Sequence, residues 1–436
     1  MKEQSIHRLK KPGAEPLRVA VLAAGGPEWI AGRVYVCNLL RALELLPEEE
    51  RIALCLVMPP TSRKADLGEL GASHLPVCCY GFRTMDSPMN KLRGVKHSLA
   101  RKKWPRSLEG VMTLVKAGVV FPALASLGKE FPVPWIGWIP DFQHKRLPQF
   151  FSDEELRVRD ERFQGVVDDA RQVVVSSEDS RHDLIRWYPT GSTRASVLSF
   201  VSVSSKEWYE DEPSRVAAQF QLPEKFLIFP CQYWIHKNHR VLFEAIRILR
   251  DRGIADICLV STGQTHDNRH PQYFASLENQ LEQLGLNSHI RILGLLPRQV
   301  QVQLVRRAVA VVQPSLFEGW SALVEDARTL GKRIYVSDIP VHREQQPADA
   351  VFFRPDRPDE LAELVARDWP DLKPGPDLVV RVRPVCRSVI EPLPLRGPFS
   401  RSLSGQRPKW KSAPDPTVAS RSPHTSSPST KTPTAH

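Results

Sequence analysis

The 436-residue chain has no HExxH, no CxxC, no Walker A loop and no carboxylate cluster at metal-site spacing. These absences remove zinc hydrolases, thioredoxin-like redox chemistry and P-loop phosphate chemistry from consideration. Cysteine is scarce: seven residues, an odd number, mostly inside apolar runs. They read as buried thiols in a reducing cytosol rather than a disulfide framework. Long apolar runs are missing too, because the longest candidate, Val111 to Leu127, carries Lys116 and Pro122 and falls short of the roughly 18 residues a membrane span needs. The N-terminal cations lead into a strand and a glycine turn rather than a signal cleavage site, so a soluble or peripheral protein is expected. With 42% hydrophobic and 25% charged residues, collagen, coiled coil and wholesale disorder are excluded, and the length allows two or three domains.

What is abundant is positive charge, and it is unevenly placed. The formal net charge is +11, but from Arg381 onward ten basic and two acidic residues give +8, leaving +3 for the rest. The same tail holds ten prolines from Pro384 on, alongside Ser, Thr and Arg, without apolar period. Such a segment cannot bury enough surface to offset its ordering entropy, so 381–436 is expected to be disordered. A second basic segment, Asn90 to Arg106, has eight basic residues counting His97, with Leu92, Val95 and Leu99 at helical spacing. It reads either as a solvated helix face or as a surface for an anionic membrane.

Between these features, short β-branched runs alternate with helical periods. One series starts at Arg18, Ile52, Val77, Trp135, Gln172 and Ala195; a second comprises FLIFPCQ, DICLVSTG, HIRILG, AVAVVQPS, RIYVSD and AVFFR. Strands alternating with helices imply parallel sheets covered on both faces, and two series imply two doubly wound domains. The polar, aperiodic stretch near Ser199 to Pro223 separates them, giving expected domains 1–205 and 206–380. Ligands of open α/β sheets sit beyond the carboxyl ends of the strands, so two facing sheets make a cleft.

Four segments could line it. In VVQPSLFEGWSALVEDARTLGK a strand ends at Gln313, and Glu318 and Gly319 precede a helix beginning near Ser321. Glu318 and Glu325 can then face one cleft as acceptors for sugar or ribose hydroxyls; a capping acid plus a solvated helix acid is the plainer alternative. In PCQYWIHKNHRVLFEAIRIL, Lys237 stands with His236, Asn238 and His239 ahead of a helix, a donor cluster suited to phosphate. Near the N-terminus, Gly25 and Gly26 make a turn and Gly32 opens a helix, a weak signal without GxGxxG spacing. WIGWIPDFQHKRLPQFFS places Asp141 and His144 after a strand; a neutral His there could hydrogen-bond a sugar hydroxyl or be a satisfied surface residue.

Taken in order, these segments resemble glycosyltransferase family 4, retaining nucleotide-sugar enzymes of the GT-B architecture, over most of residues 18 to 345. The resemblance implies a fold of two facing Rossmann-like domains with an interdomain cleft. It assigns Lys237, Gln232, Glu325, Gly319, Trp320, Ser321 and Gly263 to the donor, Glu318, His144 and Asp141 to catalysis, and Gly26 and Gly32 to an acceptor or phosphate loop. Two departures stand out. Six residues rather than seven separate Glu318 from Glu325, leaving Asp326 as an alternative, and Gln232 stands where many members have arginine.

The function implied is transfer of mannose or a similar hexose from a nucleotide sugar, GDP-mannose or a UDP-sugar, to a glycan or lipid-linked hydroxyl in cell-surface polysaccharide or glycolipid synthesis. No cofactor, metal or nucleic acid is expected, and the expected location is the cytoplasm, peripheral on the inner face of the membrane through 90–106. The competing reading is a noncatalytic binding or scaffold protein of the same shape, with basic segments that contact a membrane or nucleic acid. It is motivated by the lack, after Trp369, of an amphipathic stretch able to brace the first domain.

Overall fold

The computed structural model describes residues 17–24, 29–50, 52–58, 77–79, 107–347 and 349–375. The basic segment 90–106, Gly26 and the 381–436 tail lie outside them.

Two parallel sheets organise the chain. The first contains β1 (Arg18–Leu22), β2 (Ala53–Met58), β3 (Val77–Cys79), β4 (Val119–Ala123), β5 (Trp135–Ile139), β6 (Gln172–Val175) and β7 (Ala195–Val197), ordered β3-β2-β1-β4-β5-β6-β7. The second contains β8 (Leu227–Pro230), β9 (Leu259–Thr262), β10 (Ile290–Ile292), β11 (Ala310–Gln313), β12 (Ile334–Ser337) and β13 (Ala350–Phe353), ordered β10-β9-β8-β11-β12-β13. In both, chain order reverses beside the first strand, at β1/β4 and at β8/β11. Loops leaving those strands therefore diverge to opposite faces and open a crevice, the place where such sheets bind ligands.

The central strands are largely apolar because both faces are covered. Along β1, Val19 and Val21 join a core with Tyr35, Val36 and Leu40, while Ala20 joins the opposite core with Val111, Phe163 and Val166. Tyr35, Val36 and Leu40 share one face of α1 (Ile30–Glu44), and each such buried side chain contributes roughly 1.5–3 kcal/mol. Trp138 of β5 stacks on Tyr35 with centroids 3.7 Å apart.

One element escapes the sequence pattern. The apolar run from Val111 to Leu127 divides into α2 (Leu108–Val115), a left-handed cap at Lys116 with φ 50°, and β4. A continuous apolar run carries no period, so the boundary was not visible in it. The other strands fall where the runs placed them.

After β5 come the short α3 (Gln143–Arg146) and then α4 (Asp153–Asp169), whose start is set by a Ser152/Glu155 capping box. α5 (Glu178–Trp187) begins at Ser177, whose hydroxyl accepts from Ser180 N. The segment after β7 is polar because it is clasped by side chains: Ser202 Oγ donates to Asp326 and Val203 N donates to Asn38 Oδ1. α6 (Pro213–Gln219) opens the second half, followed by α7 (His239–Asp251), α8 (Tyr273–Gln283), α9 (Arg298–Arg307), α10 (Ala322–Thr329), α11 (Pro340–Gln345) and α12 (Pro358–Asp368). α12 packs on α7 through the core that holds Leu361, Ala362 and Val365. Among the described residues no helix is long and apolar enough to cross a membrane.

Candidate active site

The β8 and β11 loops meet at the switch point of the second sheet. Asn238 joins them: at φ 62° it ends the turn Ile235–Lys237, and its Nδ2 donates to Pro314 O at 3.1 Å and Pro355 O at 2.7 Å. Asparagine tolerates the left-handed region better than most residues, which suits it to this corner. Leu316 N donates to His236 O at 2.8 Å, a second tie.

The ties set Lys237 against Glu318. Lys237 Nζ donates to Glu318 Oε1 at 2.6 Å, and the same oxygen accepts from Ser315 Oγ at 2.7 Å and Gln313 Nε2 at 3.0 Å. Both side chains are about nine-tenths covered, with 12% and 10% exposed. Burial alone would lower the Lys237 pKa, but Cys231, Glu318 and Asp141 outweigh it and the net shift is upward. Burial pushes the Cys231 thiol up to about 11, so at neutral pH the thiol is uncharged and Glu318 is the partner that matters. Among the described residues Glu318 Oε2 accepts no hydrogen bond.

Gly319 follows, and an added Cβ would lie 2.2 Å from Pro140 O and 2.8 Å from Asp141 Cβ. The β5 loop of the first sheet thus rests directly on the Glu318 loop, bringing Asp141 to the site. Trp320 Nε1 donates to Phe200 O at 2.8 Å, another link to the first half. Ser321 caps α10 and accepts from Gln313 Nε2 at 2.9 Å. Gly263, at φ 145°, has Cys231 O where a Cβ would stand, 2.2 Å away, so the β9 loop lies on the Cys231–Gln232 backbone. Gln232 is partly buried and its side chain makes no hydrogen bond among the described residues. Gly32 lies buried on α1.

Two residues sit differently from the sequence expectation. Glu325 does not share a cleft face with Glu318. It is 1% exposed, its Oε1 accepts from Gln345 Nε2 at 2.9 Å, and burial raises its pKa against the pull of Arg328. The reason is helical geometry: α10 is short and turns that position onto α11. Asp326, next to it, is also engaged, by Ser202 and Arg298. His144 is likewise enclosed. Its ring packs against Phe151 and Phe163, its Nε2 meets Asp160 Oδ1 at 2.9 Å, and its Nδ1 is buried without a partner. Burial lowers its pKa despite Asp160. A direct hydrogen bond from His144 to a sugar is unavailable in this arrangement, because the aromatic residues of α4 and of the turn before it surround the ring.

Pairs that no pattern announced also join the halves. Glu344 of α11 accepts from the N–H groups of Glu178 at 2.7 Å and Asp179 at 3.1 Å, at the start of α5. His270 Nε2 meets Phe150 O at 3.1 Å. Among the described residues no group of three or more His, Cys, Asp or Glu could hold a metal ion.

Comparison with known proteins fits this geometry. Residues 210–367 match the family model Glycosyl transferases group 1. A curated relative, the uncharacterized glycosyltransferase MJ1607 of Methanocaldococcus jannaschii, is 21% identical over 54% of this chain and 61% of its own length. The chain thus spans less than two thirds of that relative. Among solved structures, Anabaena HepE in complex with UDP and glucose is similar with TM-score 0.56 and 16% identity, over 81% of this chain and 90% of that one. Sucrose-phosphate synthase of Thermosynechococcus elongatus gives TM-score 0.56 and 13% identity, over 81% and 90%. With two Rossmann-like parallel sheets the chain has the GT-B fold, and its second half, residues 210–367, matches the glycosyl transferases group 1 model.

Proposed function

We propose that the protein is a retaining glycosyltransferase that moves a hexosyl group from a nucleoside-diphosphate sugar to a hydroxyl acceptor. The observation that carries this reading is the Lys237–Glu318 pair at the β8/β11 switch point, facing Asp141 from the other sheet. A charged ammonium beside the N-terminus of α7 suits a diphosphate, and a carboxylate with an uncommitted oxygen suits sugar hydroxyls. The UDP and glucose bound by Anabaena HepE favour a UDP-linked hexose as donor, with GDP-mannose as the alternative.

In this scheme Lys237 leaves Glu318 Oε1 for a phosphate oxygen, and Glu318 turns its carboxylate to the hexose. The bond from the anomeric carbon to the phosphate oxygen breaks as the acceptor oxygen bonds on the same face. The acceptor's proton passes to the departing diphosphate, and bonding on the same face keeps the configuration. Lys237 and the α7 dipole stabilise the charge that develops there, in a cleft closed to water. Asp141 borders the hexose, and His144 acts indirectly by holding the 141–146 turn against α4. No step passes through a metal or cofactor. Gln232, Trp320, Ser321 and Gly263 shape the donor loops, Glu325 and Asp326 act from beneath them, and Gly26 and Gly32 border the acceptor side. The acceptor is a glycan or lipid-linked hydroxyl, reached from the inner face of a membrane through 90–106.

The test is a thermal-shift screen with UDP, GDP and ADP on the wild type and on Lys237→Ala, followed by assay of nucleoside diphosphate released from UDP-glucose and GDP-mannose. A ligand that binds only the folded state raises its melting temperature. Stabilisation by one nucleotide that vanishes in Lys237→Ala, with release from the matching sugar, is expected. No shift and no release with any of them would favour a noncatalytic scaffold.

A further inference from the structure

We propose that Arg269 is a second cation of the donor diphosphate site, supplying the charge that Gln232 lacks; this rests on the nucleotide-sugar reading above. The β9 loop that carries Arg269 is fixed against the Lys237 loop. Gly263 abuts Cys231 O, and Tyr233 N donates to Gln264 O at 3.1 Å. Asp267 Oδ1 accepts from Arg269 N at 3.0 Å, which sets the turn, and His270 pins the loop to Phe150.

The Arg269 guanidinium is held between aromatic rings from both halves, 4.9 Å from the Phe151 centroid and 5.5 Å from that of Trp234. Trp234 in turn lies 5.6 Å from the ring of His236, the neighbour of Lys237. The Arg269 side chain is only 16% exposed, and among the described residues it forms an ion pair with Asp267 at 3.7 Å, too long for a hydrogen bond. Its guanidinium N–H donors make no hydrogen bond within the described protein, and a planar fork of donors matches phosphate oxygens in pairs. Aromatic stacking fixes the fork in advance, so little entropy is lost when an anion arrives.

The surroundings favour an anion. Arg159 lies over the same Phe151 ring at 4.8 Å. His236 cannot take the missing role, because burial, with Lys237 and Arg269 close by, holds its pKa well below the ordinary value and the ring stays neutral. Lys237 and Arg269 are then the cations available on the two loops that border the β8 end.

Calorimetry first identifies which of UDP, GDP or ADP binds the wild type; binding of none would overturn the proposed function itself. For that nucleotide, Arg269→Gln is expected to weaken binding about 10-fold or more, the scale of a charge-assisted hydrogen bond, and to leave the matching nucleoside unaffected. Adding Gln232→Arg to that variant should recover most of the loss. Binding within twofold of wild type, while Lys237→Ala still loses the nucleotide, would overturn the role of Arg269 and leave the proposed function standing. Equal losses for nucleotide and nucleoside, or no recovery with Gln232→Arg, would overturn it by assigning Arg269 to packing between the halves. Should Arg269→Gln fail to fold, Arg269→Lys is read the same way: a several-fold loss confined to the diphosphate supports the role, and parity with wild type sinks it.

Discussion

Lys237 and Glu318, 81 positions apart, meet at 2.6 Å in the crevice of the second sheet. Each satisfies the other, so a diphosphate must compete with Glu318 for the ammonium. Glu318→Gln removes the competitor. It is expected to bind nucleoside diphosphate several-fold more tightly than wild type while transferring the hexose at least about 10-fold more slowly, since a charged acceptor is lost. Calorimetry and turnover on the same preparation check this, and weaker diphosphate binding would contradict the competition.

Gly319 packs on the β5 loop of the first half with no room for a Cβ. Gly319→Ala places a methyl group against Pro140 O and Asp141, both backbone-fixed, so the β5 loop must move away. Overpacking of this kind costs about 1–3 kcal/mol. The expected result is a lower melting temperature with transfer lost more than nucleotide binding, because Lys237 stays in place while Asp141 does not. Unchanged transfer in Gly319→Ala would show that the contact is dispensable.

Glu344 also bridges the halves, by accepting two N–H groups at the start of α5. A carboxylate at a helix N-terminus contributes about 1 kcal/mol through the cap and the dipole. Glu344→Ala should therefore loosen the contact between halves without touching either core. A larger radius of gyration by small-angle scattering, with both cores still cooperative in unfolding, is the expected readout.

Acid sensitivity has a defined source in His342. Burial pushes its pKa down to about 4 from an ordinary 6.5, with Nδ1 held by Ser337 O at 2.9 Å and Nε2 unpartnered. Above pH 6.5 both folded and unfolded forms are neutral at this site. As pH falls from 6.5 toward 4 the unfolded chain binds the proton first, so stability declines over that window by about 3 kcal/mol. His342→Asn keeps a donor for Ser337 and removes the titration. Urea unfolding at pH 7 and pH 4.5 should show a drop smaller by about 2–3 kcal/mol in the variant; His239, pushed down to about 3 by burial, keeps part of the wild-type loss in both.

The sequence by itself determined the two parallel sheets, because β-branched runs alternating with helical periods pack as parallel strands covered on both faces, and twelve of the thirteen strands coincide with such runs. It also determined which loops carry polar chemistry, since Lys237 and Glu318 each follow an apolar strand by a few residues. Tertiary structure decided what those residues do to one another. The spacing of Glu318 and Glu325 gave no hint that one would face Lys237 and the other be closed in by Gln345 and Arg328. His144 reads as a loop residue until Phe151, Phe163 and Tyr188 fold around it. Arg269 is one arginine among many until two aromatic rings from distant segments hold it beside the Lys237 loop. Local pattern encodes burial and direction along one element, whereas a site at a crevice is made by loops far apart in sequence, whose meeting depends on packing that no single stretch records.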